Sequence, residues 1–301
     1  MSRLNGVLLV DKGPGPTSHD VVVSCRRILK EKRIGHLGTL DPIAGGLLPL
    51  AVGQATRLTR FFLMERKSYE GTIRLGYSTD TFDRTGQRTS EEAASLPSKE
   101  EVLREAQAFQ GVIRHMTPPY SARKVAGKKL YERARQGEMI TTETKQIEIF
   151  AFDVRRVEGN CVEFFVDCST GTYVRSLAHE LGIKLGCGGH LESLRRLSVG
   201  EFTIEKAATP EQLRQARADG REEAFLIPMP ELLPEFDTFL LSTADLWEIA
   251  HGKNLLRKVD APPRSRYVKL VDAARTLAAI GEIVDQHACI VTVHPRVVLV
   301  R

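Results

Sequence analysis

Residues 35–56 read GHLGTLDPIAGGLLPLAVGQAT. This stretch places one carboxylate, Asp41, in a segment dense in glycine and proline, with apolar residues on both sides. Glycines relax the backbone so that another chain can approach closely, and Pro42 biases the residues before it away from helical geometry. Asp before Pro is also an ordinary start of a turn. The stretch alone is therefore either a turn rich in Gly and Asp or a loop that presents Asp41 for chemistry.

The length and composition are those of a globular protein with a large core. The chain has 301 residues, of which 42% are hydrophobic, enough for one large domain and a small one. The apolar run at residues 7–10 is too short for a signal peptide, and no stretch approaches the ~18 apolar residues of a membrane helix. We therefore expect a cytoplasmic protein. A net charge of +5 permits a polyanionic partner.

Two kinds of site are excluded by pattern. The five cysteines are odd in number and widely spaced, without a Cys-x-x-Cys pair, so neither a disulfide framework nor a zinc site is predicted. The glycine-rich loop at residues 12–18 contains neither of the usual phosphate-binding glycine motifs, so no nucleotide cofactor is implied. His179-Glu180 begins like a zinc-protease motif, but residue 183 is Ile, which rejects that reading.

The flanking residues predict alternating strands and helices. Period-two alternation predicts strands at 69–77 and 161–168, and two further strands are predicted at 6–11 and 145–157. Ser18 can cap one helix, and Ser98 with Glu101 makes a capping box for another. A further helix begins at Val174 and places Arg175 in its first turn, where a cation gains nothing from the helix dipole. That arginine needs another explanation.

Two segments are rich in cations. Residues 120–137 hold six cations, one acid and two tyrosines, a mixture that suits RNA because cations neutralise phosphates and tyrosines stack on bases. A solvated basic helix face would look much the same. A proline cluster at 228–234 is typical of a linker, and beyond it residues 236–301 predict a small β-rich unit. Its six cations between residues 253 and 269 suggest a second nucleic-acid contact surface.

Separated segments between residues 7 and 200 resemble the tRNA pseudouridine synthases of the TruB type. Residues 35–48 resemble that family's catalytic motif Gly-His-x-Gly-x-Leu-Asp-Pro-x-Ala-x-Gly-x-Leu, and residues 11–18 resemble its Asp-Lys-Pro-x-Gly-x-Thr-Ser. Residues 67–69, 169–175 and 186–196 are similar to further motifs of the family. Two departures are Gly13, where the family usually has Pro, and Arg57, where Lys is common.

The resemblance implies an α+β fold. We expect a pseudouridine synthase catalytic domain with a central mixed, mainly antiparallel sheet at residues 1–232, including an RNA-binding insertion at about 115–140. A small PUA-like RNA-binding β domain is expected at residues 233–301.

The resemblance also implies an isomerase that converts uridine to pseudouridine at position 55 of the tRNA T-loop. The glycosidic bond breaks, the base rotates while held, and carbon five bonds to the anomeric carbon, so no metal or cofactor is required. Asp41 is the implied catalytic residue. Attack at the sugar, attack at the base and promotion of elimination all remain open.

Further site residues follow from the same resemblance. Arg175 would pair with Asp41, Tyr69 would stack on the target base, and Leu194 would pack against it. From the residues alone, Tyr69 is either a core tyrosine or one that lines a pocket. His36 would fill or brace the gap left by the flipped base, although a loop histidine bonded to backbone is its plain alternative. Asp83 would contact the flipped base or its neighbours.

The resemblance places Tyr173 among the substrate-binding residues as well. The side chains expected on RNA phosphates are Lys12, Arg123, Lys124, Lys128 and Lys129. The expected partner is the tRNA T-arm, without guide RNA or membrane, and a monomer is the default. Two rivals remain: an RNA-binding protein that folds tRNA and can dispense with catalysis, and a related guide-dependent synthase.

Overall fold

The computed structural model describes residues 4–118, 124–125, 128–129 and 144–300. Within these residues, ten strands form one sheet, five form a second, and two form a short hairpin. The strands of the first sheet and the hairpin are β1 (Gly6–Lys12), β2 (Ile34–His36), β3 (Gly45–Val52), β4 (Lys67–Leu75), β5 (Gly111–Met116), the hairpin β6 (Lys124–Val125) and β7 (Lys128–Lys129), β8 (Thr144–Glu158), β9 (Cys161–Cys168), β10 (Gly189–Val199), β11 (Phe202–Thr203) and β12 (Leu226–Ile227). The strands of the second sheet are β13 (Asp237–Leu240), β14 (Leu255–Lys258), β15 (Tyr267–Val271), β16 (Leu277–His287) and β17 (Ile290–Val298).

Helices pack beside both sheets. They are α1 (Ser18–Leu29), α2 (Thr59–Phe62), α3 (Lys99–Gln107), α4 (Val174–Lys184), α5 (Pro210–Ala218) and α6 (Thr243–Ala250). None of the helices in the described ranges is long and apolar enough to cross a membrane.

The first sheet is mixed and mainly antiparallel, as predicted. Its order is β12-β1-β3-β10-β4-β9-β8-β5, with β2 paired to β3 and β11 to β10. The one parallel ladder among its described strands joins β3 to β10, with Arg196 opposite Gly46. This ladder brings Gly45 and Gly46, in the middle of the distinctive 35–56 stretch, beside residues 195–196.

Helix caps explain where two of the helices begin. Ser98 and Glu101 form the predicted capping box of α3. The cap of α1 is Thr17 rather than the predicted Ser18, because the Thr17 hydroxyl accepts from the backbone nitrogen of Asp20 and the Asp20 carboxylate accepts from the backbone nitrogen of Thr17. Ser18 is buried and bonds elsewhere, as described below.

One hydrophobic core lies between the first sheet and its helices. Val21 and Cys25 of α1 and Leu177 and Leu181 of α4 pack against buried strand residues such as Ile73. These helix positions form an apolar stripe on each helix, because residues three or four apart share a helix face. This packing fixes α1 and α4 against the sheet.

A second core joins the two sheets. It contains Leu9 and Leu47 from the first sheet together with Val271 and Ile280 from the second. Leu232 and Leu233 are also buried in it, so the proline-rich stretch predicted as a linker lies between the sheets. The expected domain boundary at residues 232–233 falls in this shared core.

The second sheet forms the β-rich unit that was predicted at residues 236–301. Its five strands have the order β13-β15-β16-β17-β14. Arg57 also reaches this sheet, since its guanidinium donates a hydrogen bond to the carbonyl of Val298.

Candidate active site

Asp41 lies in the loop between β2 and β3, and two side chains hold the backbone on either side of it. Ser18 Oγ bonds both the amide nitrogen and the carbonyl oxygen of Leu40, each at 2.8 Å. Arg196 lies on β10, and its guanidinium donates to the carbonyls of Leu47 (2.8 Å), Thr39 (3.2 Å) and Gly38 (3.2 Å). The loop that presents Asp41 is therefore fixed at both ends by residues distant in sequence.

Sequence reasoning did not identify Arg196 as a site residue. The signal was present, because Arg196 follows Leu194 by two positions and alternate residues of a strand point to the same face. An arginine on the apolar face of a strand needs buried acceptors. The side chain is 0% exposed, and three backbone carbonyls supply those acceptors.

The carboxylate of Asp41 is paired with Arg175. Arg175 Nε donates to Asp41 Oδ2 at 2.8 Å, and Arg175 Nη1 donates to the carbonyl of Thr81 at 3.0 Å. The Arg175 side chain is 7% exposed, whereas that of Asp41 is 35% exposed. The arginine is thus held from behind while the carboxylate stays accessible.

A cavity of about 170 Å³ lies in front of this pair. Its lining residues are Thr39, Leu40, Asp41, Tyr69, Thr172, Tyr173, Val174, Arg175 and Leu194. The structure thereby brings five of the predicted substrate residues together from four separate segments. Asp41 is the one carboxylate among these lining residues.

Tyr69 is both a core residue and a pocket residue, the two alternatives that its sequence pattern allowed. It belongs to the first hydrophobic core and it also lines the cavity. Burial raises the pKa of Tyr69 to about 12, so the phenol stays protonated at neutral pH. The cavity therefore offers an uncharged ring and a hydroxyl donor beside Asp41.

Two predicted residues lie outside the cavity lining. His36 ends β2 opposite Leu50, and burial, Arg196 and His19 lower its pKa, so the ring is neutral at neutral pH. Asp83 is buried behind the site, where Oδ1 accepts from the backbone of Thr85 and Oδ2 lies 3.6 Å from Arg175 Nη1. Asp83 therefore faces the arginine that holds the catalytic candidate.

The phosphate contacts expected from sequence are not supported for Lys12. Its side chain is 1% exposed, and Nζ donates to the carbonyls of Ala44 at 2.5 Å and Gly13 at 3.0 Å. Burial lowers the pKa of Lys12 to about 8. Lys12 thus braces the far end of the Asp41 loop.

The other expected phosphate contacts lie in or beside the part of the chain that the structure does not describe. Arg123 lies outside the described residues, and of Lys124, Lys128 and Lys129 only the backbone strands are described.

In the second sheet, several cations of the 253–269 segment are already paired. The pairs are Lys253 with Glu248, Arg257 with Asp245, Arg264 with Asp237, and Arg266 with Glu282. Among the residues that the structure describes, no group of three or more His, Cys, Asp or Glu side chains is placed to hold a metal ion.

The arrangement suits a reaction on a flat, uncharged ring. Tyr69 and Leu194 supply apolar walls, and Asp41 supplies one oriented carboxylate that can act as nucleophile or base. The Arg175 guanidinium beside it fixes its direction through a charge-assisted bond.

Comparisons with known proteins find relatives over most of the chain. Residues 26–174 match the model of the TruB family pseudouridylate synthase N-terminal domain, and residues 175–237 match that of the tRNA pseudouridylate synthase B C-terminal domain. A tRNA pseudouridine synthase B from Solibacter usitatus is 41% identical, with 98% of this chain and all of that protein covered. One from Thermobifida fusca is 40% identical, with 83% of this chain and 86% of that protein covered.

A solved structure supports the fold. The chain is similar to one in an H/ACA RNP bound to a substrate RNA containing 2'-deoxyuridine, with a TM-score of 0.73 and 23% identity over 99% of this chain and 86% of that chain. The fold is thus shared with that protein, and the family is shown by the closer relatives. The chain belongs to the TruB family of pseudouridylate synthases.

Proposed function

We propose that this protein converts uridine at position 55 of the tRNA T-loop to pseudouridine, with Asp41 as the catalytic carboxylate. Membership of a pseudouridylate synthase family supports the reaction, and the name tRNA pseudouridine synthase B, carried by its relatives, supports tRNA as the substrate. The observation that carries the residue assignment is the Asp41–Arg175 pair at a cavity walled by Tyr69 and Leu194.

The reaction breaks the bond between N1 of uracil and C1′ of ribose and forms a bond between C5 and C1′. The hydrogen on C5 is lost and N1 gains a proton, so atoms balance without a co-reactant. The target base must leave its stack to enter the cavity. Asp41 then acts at the anomeric carbon, at the base, or as the base that promotes elimination from the sugar.

The predicted site residues that line the cavity beside Asp41 each have a role in this scheme. Arg175 prevents the carboxylate from turning away, because the carbonyl of Thr81 and the nearby Asp83 hold the guanidinium in place. The Tyr69 ring offers a stacking surface for the base and, being protonated, can donate a hydrogen bond through its hydroxyl. Leu194 and Tyr173 complete the wall of the cavity.

The remaining parts of the proposal concern the RNA. The protein acts on the T-arm as a monomer in the cytoplasm, without a guide RNA. Residues 1–232 form the catalytic domain, and the unit at residues 233–301 is a PUA-like RNA-binding domain. The six cations at residues 120–137 support an electrostatic contact with the RNA backbone. His36 braces the RNA where the flipped base has left it.

The test is tritium release from C5 of uridine in a minimal T-arm RNA, with no guide or other protein added. The purified protein should release tritium, and the Asp41→Asn variant should bind the RNA with similar affinity and release none. A T-arm RNA with cytidine at position 55 should bind and give no product. If both proteins bind and neither reacts, the alternative of an RNA-folding protein without catalysis takes the place of the enzyme.

A further inference from the structure

His115, near the end of β5, is a buried histidine outside the cavity whose two ring nitrogens both have partners. Its Nε2 accepts a hydrogen bond from the backbone nitrogen of Tyr173 at 3.0 Å, and its Nδ1 lies 3.3 Å from Glu180 Oε2. The ring is 0% exposed. A ring nitrogen that accepts a hydrogen bond carries no proton, so the proton of the neutral ring lies on Nδ1 and is donated to Glu180.

Glu180 closes this set of contacts. It lies on α4, and its second oxygen, Oε1, accepts from the backbone nitrogen of Met116 at 2.9 Å. The Glu180 carboxylate therefore accepts two hydrogen bonds from the end of β5. In return, His115 of β5 accepts one from the backbone nitrogen at the start of α4. The strand end and the helix start are locked to each other.

The start of α4 depends on outside support. Its cap residue, Tyr173, has extended backbone and makes no side-chain cap, and the first turn carries Arg175, which the helix dipole does not favour. His115 supplies an acceptor that the helix lacks. Lys145, directly opposite His115 in the β5–β8 ladder, places Nζ 4.4 Å from the centre of the Tyr173 ring. The ends of β5 and β8 thus hold Tyr173 by its backbone and by its ring.

Tyr173 and Arg175 both line the cavity, and Arg175 holds Asp41. We propose that His115, supported by Glu180, is a positioning residue for the reaction: it fixes the Tyr173 backbone and thereby the side chains of Tyr173 and Arg175. His115 itself does not line the cavity. This inference rests on the proposed function of the Asp41 cavity.

The expected effect follows from geometry. A shift of about 1 Å at the start of α4 would open the 2.8 Å contact between Arg175 and Asp41, and misplacements of that size cost up to about 100-fold in rate. RNA affinity should change little, because His115 is buried. The signature is therefore a loss of rate at saturating RNA.

The experiment compares His115→Leu with His115→Gln in the full-length protein. Leucine removes both hydrogen bonds, whereas glutamine carries one acceptor and one donor and can restore the bond from Tyr173. Tritium release is measured in single turnover with enzyme in excess, alongside T-arm RNA binding and the melting temperature. We expect the rate of His115→Leu to fall by about 10- to 100-fold with an unchanged dissociation constant, and His115→Gln to recover most of it.

Two results would overturn the proposal. One is a His115→Leu rate that equals the native rate once the folded fraction is taken into account, which indicates a role in stability only. The other is a His115→Gln rate no better than that of His115→Leu. If His115→Leu does not fold, Glu180→Gln decides, because its single carbonyl oxygen cannot replace two carboxylate acceptors. A native rate in Glu180→Gln contradicts the proposal.

A spectroscopic measurement separates this inference from the proposed function. Nitrogen NMR of the histidine-labelled native protein should show His115 protonated on Nδ1 and not on Nε2. A proton on Nε2 would contradict the inference whatever the activity. Failure of the native protein to release tritium would instead refute the proposed function.

Discussion

Arg175 Nε donates a hydrogen bond to Asp41 Oδ2 at 2.8 Å, joining the first turn of α4 to the loop between β2 and β3. The two residues are 134 positions apart in sequence. This contact explains why a cation occupies a helix position that the dipole does not favour. It also means that the orientation of the Asp41 carboxylate depends on the position of α4.

The first prediction concerns the shape of the Arg175 side chain. Arg175→Lys keeps the charge but cannot bond Asp41 and the Thr81 carbonyl with one planar group. We expect the single-turnover rate to fall by about 100-fold, with T-arm RNA binding unchanged. Rapid-quench tritium release and filter binding measure the two quantities. A lysine variant as fast as the native protein would show that charge alone is sufficient.

The second prediction concerns the buried guanidinium of Arg196. Arg196→Met keeps most of the volume but leaves the carbonyls of Gly38, Thr39 and Leu47 without a donor, and each unsatisfied group costs about 1–3 kcal/mol. We expect a loss of about 3 kcal/mol or more in the free energy of unfolding in urea, with a lower rate.

Arg195→Met is the matched control for that variant. Arg195 is the neighbouring residue, its side chain is 42% exposed, and it pairs with Asp11. Its replacement should cost less than about 1 kcal/mol, since exposed ion pairs contribute little. Equal losses in the two variants would contradict the structural role given to Arg196.

The third prediction separates two adjacent hydroxyls. Thr17→Ala removes the cap of α1 and Ser18→Ala removes the two bonds to Leu40, and each should cost about 1–2 kcal/mol of stability. Only Ser18→Ala should also slow single-turnover tritium release, because Leu40 precedes Asp41. The idea fails if the two variants lose rate equally.

The fourth prediction concerns pH. The pKa of Lys12 falls from its usual value of 10.5 to about 8 in the folded protein because of burial, so between these values the unfolded chain binds more protons. Stability should therefore rise with pH in that window, by at most about 1.4 kcal/mol per pH unit from this group. Burial lowers the pKa of Lys67 to about 8 as well, so Lys67 should also make stability rise with pH in that window.

Lys12→Met isolates the contribution of Lys12 to that slope. Urea unfolding at pH 8, 9 and 10 should show a smaller rise in stability in the variant than in the native protein. Lys67→Met, compared in the same way, measures the second lysine. Parallel curves for the native protein and Lys12→Met would contradict the burial of a lysine with a lowered pKa.

The sequence predicted the parts of the site that motifs and local patterns carry. Asp41, Tyr69, Arg175 and Leu194 came from resemblance and meet at one cavity. Arg196 and His115 were missed because the backbone groups that they bind are far away in sequence. Strand alternation after Leu194 could have placed Arg196 on the buried face, but no local pattern identifies the carbonyls that accept from it. Lys12 was misjudged for the same reason, since its acceptor is the carbonyl of Ala44.

In the fold, too, local patterns predicted some elements, whereas others depend on contacts between distant residues. Alternation located β4 and β9, and Ser98 located the start of α3. Local pattern does not show how closely β10, which begins at Gly189, follows the end of α4 at Lys184. The reason is tertiary: a Cβ on Gly182 of α4 would lie 2.2 Å from the backbone nitrogen of Gly189, so the helix and strand touch where side chains are absent.

The core shared by the two sheets determines how the C-terminal unit can be studied. Removing residues 233–301 would remove the apolar partners of Leu9, Leu47 and Phe202. The remaining chain would then expose an apolar surface that favours aggregation. A truncated protein that aggregates or loses activity would then report damage to its interior and would reveal nothing about RNA contacts. Charge reversals on the solvent side of β14 or α6 leave the core shared by the two sheets intact. They are the cleaner way to ask what this unit contributes.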